Sequence, residues 1–128
     1  MAGKKIIVCD SNVFFDYFRG KPEVVSQLAE IGYANLYLTA VTVGEIYYGM
    51  HGSEKRRTTE EINRFGLLHI DVAASRKFTQ LMIGYHNLGL GVADGLIAAL
   101  ALTHRAELHT FNRKDFDFIK GLRLFNPK

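Results

Sequence analysis

A chain of 128 residues with 48% hydrophobic content is long enough to bury a core without disulfide or metal staples, and its single Cys9 has no partner for a disulfide. No stretch approaches the roughly 20 apolar residues of a membrane span, and Met1-Ala2-Gly3-Lys4-Lys5 lacks the apolar core of a signal peptide, so a cytoplasmic protein with no membrane partner is expected. The net charge of +3 is modest, and neither linker nor repeat divides the chain, which reads as one domain over residues 1–128.

In chain order, Lys5 to Asp10 reads as a buried strand: the β-branched run Ile6-Ile7-Val8 leads to Cys9 and stops at a carboxylate. Asn12 to Arg19 is a short helix stopped by Gly20, with Pro22 beyond, and Val24 to Ile31 is a second helix closed by Gly32. Asn35 to Thr39 carries the Leu36/Leu38 alternation of a second strand, after which Thr42 is expected to cap a helix running through Glu45 to Met50. Gly52-Ser53 then separates a charged helix, Glu54 to Phe65, from what precedes it.

Leu67 to Val72 reads as a short third strand, and Ala73 to Asn87 as a helix with Phe78, Leu81, Met82 and Tyr85 at helical spacing. Val92 to His104 is apolar almost all round except for Asp94 in its first turn, the pattern of a buried helix. Leu108 to Thr110 is a fourth strand, Asn112 to Asp117 a loop or helical turn, and Leu122 to Phe125 a last strand. Strands alternating with helices predict an α/β fold with a mostly parallel sheet covered on both faces.

Four acids stand where apolar segments begin, break or end: Asp10, Glu45, Asp94 and Asp115. Each has an ordinary explanation. Asp10 and Asp94 can be helix caps, and Asp115 a loop acid. Glu45, among Val43, Ile46 and Tyr47, has less reason to be there. In a parallel sheet the carboxyl ends of all strands open on one side, so the four can meet in one crevice. There they would repel one another unless a cation neutralised them, and hard oxygen ligands without adjacent His or Cys suit Mg²⁺ or Mn²⁺. Such a site serves phosphoryl transfer. Set those four aside and nine acids remain against 16 Lys and Arg, a basic surface that suits a polyanion. Ser11, Asn12, Thr110 and Asn112 are neutral polar groups near the same strand ends, and Arg113 and Lys114 stand beside Asp115 to meet phosphates. The triplet Lys55-Arg56-Arg57 is either a further phosphate contact or a solvated helix face answered by Glu60 and Glu61. The aromatics Phe14, Phe15, Tyr47 and Tyr48 read as core, and the five His form no metal-ligand spacing.

These residues resemble the PIN-domain ribonucleases, most closely the VapC-type toxins of type II toxin-antitoxin pairs. The resemblance runs from Val8-Cys9-Asp10-Ser11-Asn12-Val13 to Gly121-Leu122-Arg123-Leu124-Phe125-Asn126-Pro127, and is most specific in Val92-Ala93-Asp94-Gly95-Leu96-Ile97-Ala98-Ala99 and Thr110-Phe111-Asn112-Arg113-Lys114-Asp115-Phe116. It implies a three-layer α/β/α fold and a Mg²⁺- or Mn²⁺-dependent endoribonuclease with catalytic Asp10, Glu45, Asp94 and Asp115. Asp10, Asp94 and Asp115 would hold metal, and Asn12, Asn112, Arg113 and Lys114 would meet RNA. A small antitoxin and a homodimer are implied partners. Two departures from the family pattern are Ser11, where Thr is frequent, and Phe111, where a polar or basic residue is common. The alternatives are an RNA-processing PIN nuclease without an antitoxin, a non-catalytic PIN-like interaction module, and a phosphoacceptor domain using Asp10.

Overall fold

A computed structural model describes residues 5–127, so the reading of the first four residues as lacking a signal peptide lies outside it. The elements run β1 (Ile7–Cys9), α1 (Ser11–Phe18), α2 (Pro22–Ile31), β2 (Leu36–Thr39), α3 (Ala40–Gly49), α4 (Lys55–Ile62), β3 (Gly66–Leu68), α5 (Val72–Tyr85), α6 (Val92–Thr103), β4 (Glu107–His109) and β5 (Arg123–Leu124). Short 3₁₀ turns follow α2, precede α4, follow α5 and cover Arg113–Asp115.

All strand pairs are parallel and the order is β3-β2-β1-β4-β5, which makes β1 the centre of the sheet. The chain builds outward from β1 on one side through β2 and β3, then crosses to the other side for β4 and β5. The reversal falls between β1 and β4, and the crevice beyond their carboxyl ends is where open parallel sheets place ligands.

Successive strand residues point to opposite faces, and the core divides accordingly. Val8 and Leu108 join the buried faces of α5 and α6, with Ala98, Ala101 and Phe116. Ile7, Cys9, Leu36 and Leu38 join Phe14, Val24, Leu28 and Ile46 on the other face. The result is the expected three-layer α/β/α arrangement. Gly95 lets α6 lie close on α5: a Cβ there would stand 2.7 Å from the Met82 sulfur and 3.3 Å from the Phe78 ring. Gly66 in β3 is equally forced, because a Cβ would fall 2.4 Å from the Tyr37 ring of the neighbouring strand.

Several local expectations change. Thr39, not Thr42, caps α3: its hydroxyl accepts the Thr42 backbone N–H at 3.0 Å. Strand β2 turns directly into α3 with no linker, so Ala40 and Val41 already belong to the first turn. The third strand stops at Leu68, because Asp71 caps α5 by accepting the Ala74 N–H at 2.8 Å, and Ile70 and Val72 are exposed. The charged helix ends at Ile62, since β3 begins at Gly66. Tyr48 is exposed rather than core, whereas Phe14 is fully buried as expected. Cys9 is buried, and burial beside Asp10 pushes its thiol up to about 12, an unreactive structural thiol. Among the described residues no helix is long and apolar enough to cross a membrane.

Candidate active site

Asp10 follows β1 directly and opens α1. Its Oδ1 accepts the Ser11 N–H at 2.9 Å, so the ordinary cap role is real. Its Oδ2 accepts the Thr110 hydroxyl at 2.8 Å, and its own N–H donates to the His109 carbonyl at 2.9 Å. Asp10 thus spans the gap between β1 and β4, the reversal point of the sheet, and is buried there. Thr110 does double duty, because the same oxygen accepts the Asn112 N–H at 3.0 Å and so shapes the turn that leads to Asp115.

Asp94 behaves differently. Helix α6 starts at Val92 behind Gly91, with no side-chain cap, so the cap explanation does not hold for this residue. Asp94 lies half-buried in the first turn, where the partial positive charge of the helix end favours an anion. That is not enough to keep it an ordinary acid: burial, then the charges of Asp10, Asp115 and Glu45, push it up to about 6.

Glu45, in the middle of α3, is half-buried, and burial followed by the charge of Asp10 raises its pKa, with the Ser11 hydroxyl pulling the other way. Its Oε1 is buried without a hydrogen-bond partner. Asp10 is raised by burial, offset by its bonds to Thr110 and Ser11, and raised further by Asp115. Asp115 stands exposed in the 3₁₀ turn after β4. The four acids, from positions 10 to 115, are therefore close enough to feel one another's charge. Among the described residues, none is ion-paired to Lys, Arg or His; the five ion pairs lie on Asp16, Glu54, Glu60 and Glu61.

Uncompensated carboxylates with an orphaned buried oxygen fit a divalent cation, and an all-oxygen donor set fits a hard one such as Mg²⁺ or Mn²⁺. Among the described residues no three Asp, Glu, His or Cys side chains are gathered into a ready-made chelate.

The polar residues around the acids divide. Asn12 Oδ1 accepts the Phe111 N–H at 3.3 Å and so ties α1 to the loop after β4. The Asn112 side chain is exposed, while its carbonyl accepts the Asp115 N–H at 3.0 Å. Arg113 is partly committed, its NH1 donating to the Phe125 carbonyl at 2.9 Å, whereas Lys114 is exposed with no ion pair among the described residues. Residues 111–115 line one open cleft. Two residues of the basic triplet on α4 have partners within the chain: Arg56 faces Glu60 at 3.8 Å, and Arg57 bonds the Phe18 carbonyl at 2.7 Å while lying 4.0 Å over the Phe18 ring. Thr110 is the residue that sequence reading undervalues, as one neutral group among several. Its only signal is a hydroxyl placed immediately after a strand that neighbours β1.

Against known proteins, the PIN domain family model matches residues 7–121. The VapC ribonuclease Y4jK of Sinorhizobium fredii is 31% identical, over 95% of this chain and 97% of that protein. Toxin FitB of Neisseria gonorrhoeae is 28% identical, over 95% of this chain and 98% of its own length. A toxin-antitoxin complex from Klebsiella pneumoniae contains a chain that superposes with a TM-score of 0.78 at 27% identity, covering 91% of this chain and 94% of that one.

Proposed function

The chain belongs to the PIN-domain family, of the VapC type, and from that premise we propose that it is a divalent-metal-dependent endoribonuclease, the toxin of a toxin-antitoxin pair. The observation that supports this most is that Asp10, Glu45 and Asp115, none of them ion-paired among the described residues, all act by their charge on Asp94, with Asp10 where the sheet reverses direction.

Asp10, Asp94 and Asp115 would hold the ion. The chemistry a divalent ion supplies at such a site, when bound, is a more acidic water and screening of the phosphodiester charge. Thr110 and the Ser11 N–H keep both oxygens of Asp10 in one orientation, so the carboxylate loses no freedom when it takes up its load. Glu45 offers its orphaned Oε1 to orient the attacking water and accept its proton, and its raised pKa brings it nearer to the range of a general base. Lys114 and the remaining donors of Arg113, with Asn12 and Asn112, would steady the RNA backbone.

A small antitoxin protein is the proposed partner, in keeping with the complex that the chain resembles, and the cytoplasm is the proposed compartment. A homodimer is proposed as well, with exposed Ile83 of α5, Leu88 of the turn after it and Val92 of α6 as candidates for the covered surface. The test is cleavage of RNA by purified protein with Mg²⁺ or Mn²⁺, with and without a chelator, alongside Asp94→Asn. Cleavage that needs the metal and disappears in the variant is expected. Undiminished cleavage by Asp94→Asn would overturn the assignment.

A further inference from the structure

One exposed aromatic ring lies beside the acids without a structural reason to be exposed. Phe111 is 46% exposed, although burying a Phe side chain stabilises a fold and Phe116, five residues on, is fully buried. Phe111 follows Thr110, the residue that holds Asp10, and leads into the turn that carries Asp115. Its backbone N–H is fixed by Asn12, and its ring meets the His109 ring at 90°, centroids 5.6 Å apart. His109 is itself pinned, with Nε2 2.6 Å from the Gln27 side-chain oxygen and the Phe125 ring 4.8 Å away. The exposed ring therefore stands on a rigid base.

The cleft from Phe111 to Asp115 places aromatic surface, two cationic side chains and a carboxylate of the acid cluster within five consecutive residues. Cations beside an exposed ring are the chemistry that single-stranded nucleic acid recognises: the cations meet phosphates while the ring takes the face of a base. A duplex cannot use such a ring, because both faces of each base are already covered by stacked neighbours.

We propose that Phe111 is a base-stacking platform, holding an unpaired nucleobase next to the phosphodiester presented to the acids, with Lys114 and Arg113 on the adjoining phosphates. The inference rests on the ribonuclease reading and deepens it, by making an unpaired nucleotide beside the scissile bond a requirement of the substrate. Stacking tolerates any base, so Phe111 selects for single-strandedness more than for sequence.

The chain contains no tryptophan, so Phe111→Trp puts the only indole of the protein on the platform. In an Asp94→Asn background, to prevent cleavage, the probes are an oligoadenylate of about ten nucleotides, within the usual span of a single-strand site, and an abasic ribose-phosphate oligomer of equal length. Oligoadenylate is expected to quench the Trp emission and the abasic oligomer to leave it unchanged. Phe111→Ala and Phe111→Leu are expected to bind oligoadenylate about five- to a hundredfold more weakly, while Phe111→Tyr stays within about twofold. Affinity for the abasic oligomer should be the same in all of them. Full oligoadenylate affinity in Phe111→Leu would overturn the proposal and leave the ring to a protein contact. An equal loss for both oligomers would overturn it too, showing that the ring acts only by shaping the loop. RNA cut and bound as well by Phe111→Ala as by the parent defeats stacking alone. Absence of any RNA binding or cleavage by the parent defeats the ribonuclease reading and the platform with it.

Discussion

The β1-α1 junction and the start of α6 both put an aspartate at the head of a helix, and the two are treated in opposite ways. Asp10 is anchored: a cap bond to Ser11, a cross-strand bond to Thr110, and burial in the seam between β1 and β4. Asp94 has no cap bond, sits half-buried, and is pushed up to about 6 by its surroundings. The difference separates two uses of charge. One carboxylate ties β1 to β4; the other is held by the fold at a cost that, under the proposed function, a bound cation would offset.

The largest effect should come from Asp94→Asn, which under the proposed function removes a metal ligand worth several kcal/mol, roughly a hundred- to a thousandfold or more in cleavage rate. The same variant should make the metal-free protein more stable. Its pKa shift, discounted for solvent screening because the group is half-exposed, amounts to about 1 kcal/mol, or a few degrees in Tm. A lowered Tm measured by calorimetry without metal would erase the contrast with Asp10.

Asp10→Ala should also abolish cleavage, but with the opposite effect on folding. It removes a cap and leaves the buried Thr110 hydroxyl without its acceptor, together costing about 2 kcal/mol in denaturant titrations. Next comes Thr110→Val, which strips Asp10 Oδ2 of its donor and the Asn112 N–H of its acceptor. A stability loss of about 1–2 kcal/mol and a fall in cleavage of about ten- to a hundredfold are expected, with metal affinity reduced in parallel. Unchanged metal affinity would show that Thr110 serves the turn alone.

The smallest effect sharpens the comparison by its sign. The folded-state pKa of Asp94 lies above its unfolded value, so its favourable contribution is full below about pH 4 and is lost as pH rises through about 6. The stability difference between Asp94→Asn and the parent should therefore be near zero at pH 4 and grow to about 1 kcal/mol by pH 7. Taking the difference cancels His109, which burial and then Arg113 push down to about 4 and which drives stability the other way in that window. Added Mn²⁺ should shrink the gap at pH 7 by stabilising only the parent.

Much of this was legible in residue order. Apolar runs ended by Asp10 and Thr110, and an all-apolar helix interrupted by Asp94, were enough to predict a parallel sheet with acids at one edge. What escaped were matters of junction. Whether Thr39 or Thr42 caps α3 depends on β2 running into the helix without a linker, and Ile70 and Val72 look like strand until Asp71 is seen to cap α5. The pairing of Thr110 with Asp10 joins residues 100 positions apart, and the commitment of Arg113 to the Phe125 carbonyl depends on where the last strand docks. Local pattern carries no trace of either.

The central place of β1 has a consequence in time. Its two neighbours are β2, made soon after it, and β4, made much later, and the bond that seats Asp10 waits for Thr110, 100 residues on. At about 5–20 residues per second, a ribosome would produce Asp115 roughly five to twenty seconds after Asp10. Throughout that interval the growing chain holds some of the acids but no assembled site. Under the proposed function, the growing chain cannot cut RNA while Asp115 is still to be made.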